Sequence, residues 1–256
     1  MNTQQEIMTQ DYEDIRNWMA LQSNEVKDNC VIVDSESMQQ DYMLHIDKEM
    51  PKVFIPMMPR SAALTENNTV ARITVAPTLI GCFIGYSRAE DDFMEGSHKN
   101  VIKAINFKGG YDICILPFRH AIQPSPKMVY DSKRSGEHWL VNYNEQTREY
   151  VPEKIGKLFV SKVSYLARTG NMPKPEFEIY IEVDKAEGIL LSPSIHLKKG
   201  YHIATISFER KKNVGSSNEE DNFSVVEIDK ESYDKVKRLS ASLLSHAENK
   251  PQYLKW

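Results

Sequence analysis

Segments alternating between apolar and polar residues dominate this chain, and they follow one another without regular helices between them. Phe177–Val183 (FEIYIEV) and Tyr201–Glu209 (YHIATISFE) alternate with a period of two, the pattern of strands buried on one face. Met43–Ile46, Arg72–Val75, Ile113–Pro117, Trp139–Tyr143 and Lys157–Val163 read as further strands, and Phe223–Ile228 as the return strand after the charged loop Arg210–Asp221. A parallel sheet would set a helix after each strand, so the order predicts an α+β fold of largely antiparallel, split β-sheets with flanking helices.

Helical spacing is confined to three places. Tyr12, Ile15, Trp18 and Met19 predict a helix over residues 8–22, and Leu79–Tyr86 is an apolar helical segment. Lys230–His246 carries Tyr233, Val236, Leu239, Leu243 and Leu244 on one stripe, behind Asp229 as an N-cap. Val101–Phe107 is too short and mixed to assign. Gly170, Pro173 and Pro175 cluster between two strands and suggest a boundary. The expected organisation is a helical extension over 1–41, an α+β core over 42–166, and a β-hairpin and helix region over 167–256 packed on that core.

Composition narrows the function classes. Of the 256 residues, 41% are hydrophobic and 27% charged, as in ordinary globular proteins, and the net charge of −4 argues against nonspecific nucleic-acid binding. Apolar runs such as Ile113–Phe118 fall far short of the roughly 20 residues of a membrane span. The start, MNTQQEIMTQDYEDI, lacks the basic end and apolar core of a signal peptide. Cys30, Cys82 and Cys114 are widely spaced, with no CxxC pair, and read as reduced buried thiols. A cytoplasmic chain without a membrane anchor is the expectation.

Common catalytic motifs are missing: GxGxxG, GxxxxGK[ST], HExxH and GxSxG do not occur. The seven histidines form no i, i+4 pair and have no cysteine neighbour, so no metal site is expected. Ser192-Pro-Ser-Ile and Ser132-Lys-Arg-Ser read as turn chemistry.

Tyr42–Tyr86 carries the most information about function. Met43–Ile46 contains His45 and leads into a passage with Met58-Pro59-Arg60. Glu66-Asn67-Asn68-Thr69 follows, then the strand Arg72–Val75, the corner Ala76-Pro77-Thr78, and a helix containing Gly81-Cys82-Phe83. This order resembles a group of ADP-ribosyltransferase-like proteins, including uncharacterised members carried by bacteriophages, and Lys133–Leu140 (KRSGEHWL) extends the similarity. About 45 residues match well and about 120 loosely, and the match stops before the C-terminal third.

The resemblance implies two antiparallel sheets parted by a cleft that takes NAD. Chemistry at the nicotinamide ribose needs a carboxylate for the 2′-hydroxyl and the oxocarbenium-like transition state, and Glu137 is the expected catalytic residue. His45 would hold the adenosine-side ribose, Arg72 a phosphate, and Thr74 and Thr78 the acid or the other ribose, with Phe83 or Tyr86 stacking on nicotinamide. Each has a structural alternative: a strand-end histidine, a turn carboxylate, a solvent-facing arginine, a helix cap. Glu145, Glu149 and Glu209 are alternative carboxylates. The chain departs from the pattern with Leu44 before the histidine, Ile46-Asp47 after it, and Thr74 at the strand centre. Asp47 would repel an anionic cofactor mildly.

These departures fall at the cleft and tilt the expectation toward a phage-type protein that keeps the fold for protein–protein interaction or assembly in a host cytoplasm. The alternative is an active NAD-dependent ADP-ribosyltransferase modifying a host macromolecule. A third reading, basic residues Lys198, Lys199 and Arg210–Lys212 on phosphates, competes with a plain charged hairpin. A protein partner is expected, the exposed aromatics of Pro251–Trp256 being one surface for it, and the oligomeric state is left open.

Overall fold

A computed structural model describes residues 3–59, 67–88, 110–129, 132–166, 174–185, 189–207 and 222–248. The fold is mixed α+β with mostly antiparallel sheets. It divides into two compact units, one built from Met1–Asp92, Ile113–Lys154 and Ile189–His196, the other from Phe93–Asp112, Ile155–Gly188 and Leu197–Trp256. The division therefore does not run along the consecutive segments expected from the sequence. Strands β7 (Glu153–Leu166) and β8 (Lys174–Val183) pair antiparallel from Gly156↔Val183 to Leu166↔Lys174, which keeps both sides of the expected boundary in one sheet. Residues 167–173 themselves lie outside the described residues.

The first unit begins with α1 (Thr3–Ala20) and α2 (Asn24–Asn29), the latter capped by the Ser23 hydroxyl, which accepts from Val26 N–H. Strand β1 (Cys30–Asp34) runs into the single turn α3 (Ser35–Met38), where Asp34 caps by accepting from Ser37 N–H. A four-stranded antiparallel sheet has the order β1-β5-β6-β3, with β3 at Ile73–Val75, β5 at His120–Pro124 and β6 at His138–Leu140. Strand β2 (Tyr42–Asp47) neighbours β4 (Tyr111–Pro117) and touches the corner after β3 through the antiparallel bridge Leu44↔Ala76. Helix α4 (Leu79–Arg88) packs on β2 and on β9 (Ile189–Ser192), which forms a hairpin with β10 (Ile195–Leu197) across the turn Pro193–Ser194.

Apolar clusters among the described residues pack this unit. Ile15 of α1 meets Val26, Ile122, Met128 and the fully buried Trp139, while Met43, Ile73, Leu116, Leu140 and Tyr150 form a second. In the second unit the sheet order is β12-β11-β8-β7, with β11 at Gly200–Ser207 and β12 at Asn222–Ile228. Helix α6 (Lys230–Glu248) covers it through Tyr233, which is buried with Phe159 and Tyr180. Asp229 caps α6 as its position predicts, its carboxylate accepting from Ser232 N–H and Oγ, each at 2.8 Å.

The hairpin β11–β12 and the three principal helices fall where the periodicity sets them. Trp139–Tyr143 is shorter as a strand than its pattern suggests, because Asn144 opens a capped 3-10 turn, Glu145–Thr147, whose Thr147 hydroxyl accepts from Tyr143 and Asn144 N–H. Val101–Phe107, Arg210–Asp221 and Pro251–Trp256 lie outside the described residues, as do Arg60, Glu66 and Glu209. No helix among the described residues is long and apolar enough to cross a membrane.

Candidate functional site

The approach to Glu137 is set by a one-turn helix, α5 (Ser132–Ser135). Gly136 N–H donates to Ser132 C=O at 2.9 Å, and Gly136 itself takes φ of 61°, the left-handed closure that a side chain would strain. The chain then enters β6 with Glu137 N–H donating to the Ser135 hydroxyl at 3.2 Å. Residues two apart on a strand share a face, so Glu137 and Trp139 point the same way. The Trp139 indole N–H donates to Glu137 Oε1 at 2.8 Å, and the glutamate is only 5% exposed.

Arg72 contacts the same indole over its ring. Its guanidinium carbon lies 4.4 Å from the centre of the Trp139 ring, and Nη1 donates to the carbonyls of Asn67 (2.8 Å) and Val70 (3.2 Å). The Asn67 side chain fixes that loop by accepting from Thr69 and Val70 N–H, each at 3.1 Å. One buried indole thus contacts both charges, the Arg72 guanidinium (6% exposed) over its ring and the Glu137 carboxylate (5% exposed) at its N–H edge.

His45 sits across β3 from this pair. Its Nδ1 donates to the Thr74 carbonyl at 2.7 Å, its ring meets Phe54 edge-on at 4.9 Å, and Nε2 is 4.0 Å from Asp47 Oδ2. Burial pushes its pKa below the ordinary imidazole value, and the Thr74 carbonyl and Asp47 only partly offset that. The neutral ring is therefore favoured, with Nε2 as its acceptor. Thr74 stands opposite Trp139 in the sheet register, its own side chain exposed. Thr78 caps α4, its hydroxyl accepting from Gly81 N–H at 3.0 Å. Gly81 is required there: a Cβ would lie 2.1 Å from the Ser135 carbonyl oxygen.

Four of the five expected residues therefore lie along β3, β6 and their flanking turns and His45 on β2, where Glu137 is bonded to Trp139, His45 lies beside Asp47, and His45, Arg72 and Thr78 bond to the backbone. Phe83 is buried, and the Tyr86 side chain lies outside the described residues. Cys82 is buried and donates to the Leu44 carbonyl at 3.0 Å, and burial raises its thiol pKa well above the usual value. The Cys30 thiol is pushed up to about 11 by burial, with Arg72 opposing. Glu145 and Glu149 are exposed, Glu145 paired with Arg148. No group of three or more metal-ligating side chains occurs among the described residues.

A second polar constellation escaped the sequence reading. Asp11 of α1 is 5% exposed, and its carboxylate accepts from His120 Nδ1 (2.9 Å), Tyr143 OH (3.2 Å) and Asn144 Nδ2 (2.9 Å). The Tyr143 hydroxyl has its pKa raised, first by burial and then by Asp11. The signal was present in α1: Asp11 precedes Ile15 by four and Trp18 by seven, so it lies on the helix's buried face. A buried carboxylate needs donors, and three are supplied. Family models, curated proteins and solved structures provide no match to this chain.

Proposed function

We propose that this chain is a phage-type protein with an ADP-ribosyltransferase-like fold that acts in the host cytoplasm by binding another protein, and does not transfer ADP-ribose. The observation that carries the reading is the state of Glu137. A transferase carboxylate must reach a ribose hydroxyl, whereas this one is 5% exposed and bonded to an indole that is itself fully buried. Arg72 is likewise committed to two backbone carbonyls and the same indole, so neither charge is presented to a dinucleotide.

A surface suited to a protein partner lies nearby in sequence. Ile55 (54% exposed), Met57 (54%) and Met58 (48%) follow one another in an extended, proline-punctuated stretch. Antiparallel bridges Phe54↔Tyr150 and Met57↔Arg72 hold that stretch to the unit, so its apolar side chains are presented from a fixed backbone. Adjacent exposed methionine and isoleucine side chains mark protein-interaction sites more often than random surface, and methionine adapts to varied partners.

The test is site-specific photocrosslinking from position 57 in host cells expressing the full chain. A discrete crosslinked species, lost when Ile55→Asp is added and unaffected by Glu137→Gln, is expected. No crosslink from position 57, or one unchanged by Ile55→Asp, would overturn the assignment of this surface.

A further inference from the structure

We propose that the chain pairs with a second copy of itself through the edge strand β12, extending the sheet of the second unit across a two-fold axis. Among the described residues β12 hydrogen-bonds to β11 alone, which leaves it at the sheet edge. Its register is unbroken from Tyr201↔Ile228 to Ser207↔Asn222, so no bulge twists the edge away. The sequence NFSVVEI contains neither proline nor lysine, and its single charge is Glu227. Edge strands usually carry such protection, and a straight apolar edge without it is a template for another strand.

Apolar side chains occupy both faces of this edge. Val226 stands opposite Ile203, which packs in the Phe159–Tyr180–Tyr233 cluster, so Val226 lies on the α6 side of the sheet, yet it is 58% exposed. Phe223 and Val225, on the other face, are only half-buried. A surface of this kind calls for cover on both sides, which an added strand supplies.

The strand's own sequence favours a second copy as that cover. Antiparallel apposition about Val225 sets Val225 against itself, Val226 opposite Ser224, and Glu227 opposite Phe223. No two like charges meet, and each copy gives and receives the same contacts, as a closed two-fold requires. With the axis perpendicular to the sheet, both α6 helices remain on one face, where the two Val226 side chains are covered. This surface is separate from Ile55–Met58, so the two inferences fail independently.

Sedimentation equilibrium of the full chain, from micromolar to hundreds of micromolar, is the test. A monomer–dimer equilibrium is expected, with Val226→Lys weakening it roughly 30-fold or more through the loss of two buried valines and the addition of like charges. Val226 is exposed in the single copy, so circular dichroism of Val226→Lys should match the parent. Val225→Cys should crosslink to itself on mild oxidation, since directly opposed strand residues lie within disulfide reach. Ile55→Asp should leave the dimer intact. A monomer throughout the range, a dimer that survives Val226→Lys, or a dimer in which Val225→Cys fails to crosslink overturns the proposal.

Discussion

Replacing Trp139 with phenylalanine isolates what the indole contributes. The side chain is fully buried, donates to Glu137 Oε1 at 2.8 Å and lies beneath the Arg72 guanidinium. Phenylalanine keeps a ring for Arg72 to stack on, so the cation–π contact survives in weakened form. The hydrogen bond to a buried carboxylate is lost, which costs about 1.5–3 kcal/mol. The smaller ring leaves a gap beside Ile15, Ile122 and Met128, worth roughly 1–2 kcal/mol as a fraction of a full aromatic truncation. The sum is about 2.5–5 kcal/mol, or a melting temperature lower by roughly 5–20 °C for a chain of this size. Urea unfolding followed by far-ultraviolet circular dichroism measures it, with the double-mutant cycle to Glu137→Leu reporting the pair directly. A coupling of at least about 1.5 kcal/mol is expected. A loss under about 1 kcal/mol with no coupling would mean that Glu137 is not held by Trp139, and the account of a committed carboxylate would fail.

Other perturbations follow from the same geometry. Asp11→Ala removes the acceptor for His120, Tyr143 and Asn144 and should cost about 3–5 kcal/mol, with the amides of α1 exchanging much faster in hydrogen–deuterium exchange. Gly81→Ala drives a methyl group against the Ser135 carbonyl and should destabilise by about 3 kcal/mol or more, read as a lower urea midpoint. Burial lowers the pKa of both His45 and His138 from the ordinary 6.5, so the unfolded chain takes up these protons first. Stability is then full above pH 6.5 and falls as the pH drops below it, and His45→Gln should flatten that acid limb in melting curves recorded between pH 7 and 5.

The sequence made the secondary structure legible wherever the period was sustained. FEIYIEV lies in β8 and YHIATIS, the described part of YHIATISFE, in β11, and the Asp229 cap opens α6, whose Tyr233 and Val236 pack inward while Leu239 is exposed. It was less legible where short elements depend on distant partners. Strand β5 is five residues long, and its pairing with β1, Cys30↔Pro124 to Asp34↔His120, joins segments some ninety residues apart. The division into units was hidden for the same reason, since each unit gathers three separated stretches of chain. At the candidate site, residue types pointed to β3 and β6, but only packing reveals that an indole two residues along takes up the carboxylate of Glu137. Trp139 reads from the sequence as a strand residue, and nothing in its spacing signals a hydrogen bond to the side chain two residues before it. The spacing of Asp11 places it on the buried face of α1, but its role is not legible, because a carboxylate on an apolar stripe reads as an interruption until its three donors are in place.

Isothermal titration of the purified full chain with NAD, coupled to a chromatographic assay for released nicotinamide, tests the central claim most directly. With Glu137 and Arg72 committed to Trp139 and the backbone, no saturable heat at millimolar NAD and no nicotinamide above the buffer control are expected. Saturable binding with turnover, abolished in a Glu137→Gln variant of unchanged circular dichroism, would contradict the account and establish an NAD-dependent enzyme.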